Sequence, residues 1–131
     1  MNISIEIKGL DELIRNLNNP GVAQEFVDAA NRSVAEVNMR AIVEVPVDTS
    51  LLQKSHQIKP ASSNSLSAEV FTQLEYAVPV HEGHRIVAWG HATGRRQPPN
   101  PWMERAVEKS LSKIDSIFSE AADQVVSNLT K

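Results

Sequence analysis

Three histidines fall close together in the second half of the chain, His81, His84 and His91, with Glu82 among them. Imidazole and carboxylate are ligands that a zinc ion takes. A pair three residues apart shares a helix face, but Gly83 stands between His81 and His84 and interrupts a helix there. The spaced His and Glu signatures of zinc hydrolases are absent. The trio therefore reads as ordinary surface or interface histidines in a loop, and a metal-dependent enzyme built on them is the competing reading. There is no cysteine, which removes thiolate nucleophiles, thiolate ligands and disulfides. No Gly-x-Ser-x-Gly elbow marks a serine nucleophile, and the five glycines form neither a P-loop nor a dinucleotide fingerprint. The expectation is a protein that is not an enzyme, binds no cofactor or metal, and takes no small-molecule substrate.

Contact chemistry is better represented. Arg85, His91, Arg95 and Arg96, with His84, surround Trp89 in the one locally cationic stretch of a chain whose net charge is -3. Arginines pair with phosphates or with an acidic neighbouring subunit. A tryptophan between arginines has the composition of an interface anchor. Arg85, Trp89, His91, Arg95 and Arg96 are thus the expected contact residues. A solvated loop is the bland alternative, and a nucleic-acid-binding module using residues 84–97 is the sharper one. The weak negative charge and the aromatic content of 5% give no general pull toward nucleic acid or an anionic membrane.

The elements that position these residues follow from periodicity. Ile3, Ile5 and Ile7 alternate with polar residues, a half-buried strand. Asp11 opens a short helix with Leu13, Ile14 and Leu17, and Asn19-Pro20 starts a long one. Its stripe is Val22, Phe26, Ala30, Val34, Val37, Ala41 and Val45, small enough for close helix packing, and Pro46 stops it. Ser50 and Gln53 have capping-box spacing for a one- or two-turn helix. Residues 57–59 and 66–72 read as a strand pair joined by a polar turn. In the second strand Ala68, Val70 and Thr72 face away from Glu69 and Phe71.

Residues 75–83 fit a short helix ending at Gly83, with Pro79 in its first turn. Residues 84–100 carry Gly90, Gly94, Pro98 and Pro99 and no period, an extended interaction loop. Pro101 opens a last helix with the stripe Met103, Val107, Leu111, Ile114, Phe118, Ala121, Val125 and Leu129, and Trp102 packs its start against the body. The whole predicts one α+β domain over 1–131: a small antiparallel sheet packed against two long α-helices, with short helical turns and a long loop. No apolar run approaches the roughly 20 residues of a membrane span, and the alternating N-terminus is unlike a signal peptide, so a soluble protein is expected.

Four segments, in order, resemble the tail-completion or head–tail joining (neck) proteins of long-tailed bacteriophages. They are Gly9-Leu10-Asp11-Glu12-Leu13, the run from Val45-Pro46-Val47-Asp48-Thr49 to Ser55, Tyr76-Ala77-Val78-Pro79-Val80-His81-Glu82-Gly83, and Pro101-Trp102-Met103-Glu104-Arg105-Ala106. The likeness spans nearly the whole chain. Ser50 stands where the family usually has glycine, Gln53-Lys54 shifts a basic position by one, and His81-Glu82 replaces the commoner pairing. In that family the third segment ends a strand. The resemblance makes Pro46, Asp48, Thr49, Tyr76, Glu82, Gly83, Pro101 and Trp102 a structural signature, with Asp48 and Thr49 forming a turn. It implies a virion protein at the neck, assembled in the bacterial host cytoplasm as a ring, with six-fold tail symmetry pointing to a hexamer. The implied partners are copies of itself and tail-tube, tail-terminator or head-connector proteins. DNA enters only as the contents of the neck channel.

Overall fold

The structure, a computed structural model, describes residues 2–6, 12, 15, 20–45, 50–62, 64–75, 77–88 and 91–130. Its elements run β1 (Asn2–Glu6), α1 (Pro20–Glu44), α2 (Leu51–Lys54), β2 (Gln57–Lys59), β3 (Ser67–Phe71), α3 (Ala77–Glu82), β4 (His84–Ala88), β5 (His91–Gln97) and α4 (Trp102–Leu129). The fold class is α+β. Of the short helix expected from Asp11 only Glu12 and Arg15 are described, both helical, while Asn19, Pro46, Asp48, Thr49 and Tyr76 lie outside the described residues.

α1 forms because its apolar residues recur every three or four positions, with Pro20 as its first residue. Val22, Ala30, Val34, Val37, Ala41 and Val45 of the expected stripe are buried. α4 lies antiparallel to it. Val22 meets Val125 at one end, Ala29 meets Ile117 and Ala121, and Glu44 meets Arg105 at the other end. Ser33 and Ser110 are fully buried and spend their hydroxyls on their own helices, on Ala29 O at 2.8 Å and Ala106 O at 2.7 Å. A helix surface of alanine and serine lets two backbones approach closely.

The stripe expected on α4 is shifted. Leu111 is 57% exposed and Leu129 41%, whereas Ala106, Ser110 and Ile117 are buried. The residues that face α1 follow 103, 106, 110, 114, 117, 121 and 125, the true 3.6-residue repeat. Leu111 stands one residue, about a quarter turn, off that line.

β3 is the central strand of the sheet β1-β3-β2, antiparallel to both neighbours. Ala68, Val70 and Thr72 are buried while Glu69 and Phe71 on the opposite face are half-buried. The inner face closes on Val27, Ala30 and Val34 of α1, with Ile5, Leu66 and Phe118 around it. Asn31 holds the β2–β3 connection to α1 by accepting from Ala61 N–H at 2.7 Å and donating to Ala61 O at 3.2 Å.

Two local readings need correction. Ser50 is not half of a capping box: it makes no side-chain cap bond, and its φ of 55° is left-handed. Gln53 donates instead to Ile42 O at 3.0 Å, tying α2 to α1. A β-carbon in that region costs about 1–2 kcal/mol, and glycine avoids it. Ser50→Gly should therefore raise stability by about 0.5–1 kcal/mol, read as a higher urea midpoint; an unchanged or lower midpoint would mean the hydroxyl has a role. The second correction concerns residues 84–100. Within them β4 and β5 pair antiparallel, His84 with Gln97, Arg85 with Arg96, Val87 with Ala92 and Ala88 with His91. The register slips between Arg85 and Val87, and the extra residues on β5 include Gly94 at φ 77°. That slip and its glycine break the alternation by which a strand is recognised.

Candidate functional site

The third and fourth signature segments meet where the hairpin joins the body. α3 begins at Ala77 and stops at Gly83, whose φ of 85° turns the chain into β4. The expected helical turn over 75–83 is therefore present, and Glu82-Gly83 closes a helix here rather than a strand. On return from β5, Asn100 N–H bonds both Val80 O and His81 O at 3.1 Å. Pro101 then caps α4, and Trp102, fully buried, starts it.

Trp102 organises two histidines. Its Nε1–H donates to His56 Nε2 at 3.0 Å, and the two rings meet edge to face, centroids 6.2 Å apart. His56 Nδ1 lies 3.1 Å from Gln53 O, so the proton of the neutral ring belongs on Nδ1. On the other side His81 packs edge to face at 5.0 Å. His81 is not a surface residue: it is buried, its Nδ1 lies 2.6 Å from Glu82 Oε1, and its Nε2 has no partner among the described residues. Sequence reasoning missed this because α3 is short and mixed in composition.

The neighbouring junction is ionic. Arg105 donates to Glu44 Oε2 at 3.0 Å and to Asn100 Oδ1 at 2.5 Å, and Lys109 also pairs with Glu44. The Lys109 ammonium first, then the Arg105 guanidinium, hold the Glu44 carboxyl below the ordinary glutamate range. A depressed folded-state value stabilises the fold above the unfolded value, and that stability is lost as pH falls through the folded one. Glu44→Gln should remove this part of the acid sensitivity. Melting temperatures of the two proteins should converge as pH drops from 6 to about 3; a constant gap would disprove the linkage.

The expected contact residues divide as follows. Arg95 and Arg96 are exposed on β5 beside Gly94. Arg85 and His91 sit at described register positions, their side chains outside the described set, and Trp89 between the strands lies outside it altogether. Among the described residues no group of three His, Asp or Glu comes together to hold a metal ion. Those residues include His56 and His81 but not the side chains of His84 and His91.

The hairpin itself is the feature with chemistry to offer. Its two strands pair with each other and form a sheet separate from the three-stranded one. Residues 84–97 contain three arginines and no acid. No family model, curated protein or solved structure matches the chain. Function must therefore be argued from this arrangement: a cationic β-hairpin clamped at its base by Asn100, Trp102 and Arg105. Among the described residues no helix is long and apolar enough to cross a membrane.

Proposed function

We propose that this chain is a structural virion subunit of a long-tailed phage or prophage, joining or completing the tail at the head–tail neck. It works by assembly and not by catalysis, with copies of itself and with tail-tube, tail-terminator or head-connector proteins. The resemblance of its four signature segments supports the family. The observation that carries the mechanism is the hairpin. A two-stranded hairpin is at best marginally stable in water, and this one forms a sheet separate from the three-stranded one. A basic arm of that kind fits a segment completed by a neighbour.

The test is solution mass by light scattering, with and without extracted tail tubes. A discrete oligomer, or a monomer that becomes tail-bound, supports the reading. A monomer that ignores tails overturns it. One observation favours a second reading, nucleic-acid binding: Arg95 and Arg96 are exposed on a strand without acids. Binding to duplex DNA that falls steeply between low and moderate salt would support that reading.

A further inference from the structure

We propose that Arg105 is the latch of the β4–β5 hairpin: it joins the exit of the hairpin to the end of α1, and loss of the Glu44 carboxylate releases the root of the hairpin. The device stands apart from the assembly reading.

The root is built at the last turn of α3. The chain leaves α3 through Gly83 into β4, which begins at His84. After the hairpin it returns to the same turn. Asn100 N–H donates to Val80 O and to His81 O, both at 3.1 Å. These are carbonyls that the end of a helix leaves without intrahelical donors. Between Gln97, the last residue of β5, and Asn100 stand Pro98 and Pro99. A proline pair fixes two successive φ angles, so a displacement of Asn100 carries directly into β5.

Asn100 is in turn held by α4. Its carbonyl accepts from Trp102 N–H at 2.8 Å, and its Oδ1 accepts from Arg105 Nη2 at 2.5 Å. The same Nη2 donates to Glu44 O at 3.3 Å, while Nε donates to the Glu44 carboxylate at 3.0 Å. One planar fork thus spans the end of α1 and the exit of the hairpin, a reach that the single ammonium of a lysine does not reproduce.

The charged groups that face Glu44 are Arg105 and Lys109, both from α4. α3 contributes His81, which pairs with Glu82, and α2 contributes the neutral amide of Gln53 at Ile42 O. The carboxylate anchors the guanidinium. Without its charge Arg105 keeps only neutral acceptors, which hold it less strongly, and the grip on Asn100 weakens. Lys109 differs in its role. It pairs with Glu44 and makes no bond to Asn100 among the described residues, so it steadies the carboxylate without touching the root. The two cations hold the Glu44 carboxyl below the ordinary glutamate range. The latch is therefore closed at neutral pH and opens as pH falls through that lowered value.

Hydrogen exchange of the full chain, followed by mass spectrometry on peptides from residues 84–97 and from α1, tests the latch. Arg105→Gln and Glu44→Gln should each speed exchange across residues 84–97 about tenfold. That is the lower end for a hydrogen bond to a charged group, because the Arg105 side chain is 36% exposed. Amides of α1 between Ala30 and Ala41 should stay within about twofold, since local opening leaves the core closed. Lys109→Gln should leave both regions within about twofold. In the wild type, hairpin exchange corrected for the intrinsic rate should rise as pH falls from about 6 to about 3, whereas in Glu44→Gln it should start fast and stay level. Unchanged hairpin exchange in the Arg105 and Glu44 variants overturns the proposal. So does an equal acceleration in Lys109→Gln, which would make the effect one of charge alone. An α1 core that loosens in step with the hairpin would make Arg105 an ordinary stabilising residue and overturn it too. An acid response that persists in Glu44→Gln would assign the release to another group, against the proposal. Should Arg105→Gln fail to fold, the contrast between Glu44→Gln and Lys109→Gln decides.

Discussion

Trp102→Ala will cost about 3–5 kcal/mol of stability, the range for emptying a buried large aromatic site. The side chain is fully buried and lies in the core that joins Val37, Ala41 and Val45 of α1 to Val70 and Ala77. Truncation leaves a cavity that several elements would have to collapse to fill. It also removes the donor to His56 Nε2 and the ring edge against His81, whose Nε2 already lacks a partner among the described residues. Those losses put the result toward the upper end. Trp102→Phe keeps most of the volume and should lose the hydrogen bond alone, about 1 kcal/mol. Urea unfolding reads both, and an alanine variant within about 1 kcal/mol of wild type would show the site to be far more plastic than its burial implies. The effect should reach the hairpin as well. Trp102 stands two residues after Asn100, whose N–H clamps α3 beside the entry to the hairpin. A folded Trp102 variant should thus present a looser arm.

The next largest effect is expected about two turns further on. Ser110→Leu forces a branched side chain into the seam where α4 meets α1, at a position with no accessible surface. Overpacking of this kind costs about 1–3 kcal/mol or more. The adjacent exchange Leu111→Ser removes a larger apolar group yet should change stability by no more than about 0.5 kcal/mol, because Leu111 is mostly exposed. The pair is decisive because hydrophobicity alone predicts the opposite order. If Leu111→Ser proves the more damaging, the helix is rotated from the orientation described.

The same pair shows how far a sequence can be read. Periodicity places α1 and its buried stripe correctly, since valine and alanine there coincide with the 3.6-residue repeat. It places β3 by the alternation of Ala68, Val70 and Thr72, and α3 by the glycine that ends it. It misplaces the inner edge of α4, because a leucine outweighs a serine in any hydrophobicity reading, although close helix approach favours the serine. It misses the hairpin for a related reason. Ile86-Val87-Ala88 are strand formers, but the register slip and Gly94 destroy the two-residue period. The αL backbone of Ser50 was legible only through the resemblance, where glycine usually stands. The burial of His81 had no local signal, because it depends on Trp102, which comes from a different element.

The antiparallel seam between α1 and α4 has a consequence in time as well as in space. Ala29, Val37 and Ala41 of α1 share their core clusters with α4, which is made after the sheet and the hairpin. Chains emerge from the ribosome at about 5–20 residues per second, so α1 spends seconds with its apolar side uncovered while the sheet and hairpin are made. Premature termination before α4 would yield not a smaller folded protein but a sticky one. The inner face of α1 therefore waits on the synthesis of α4 before it is covered.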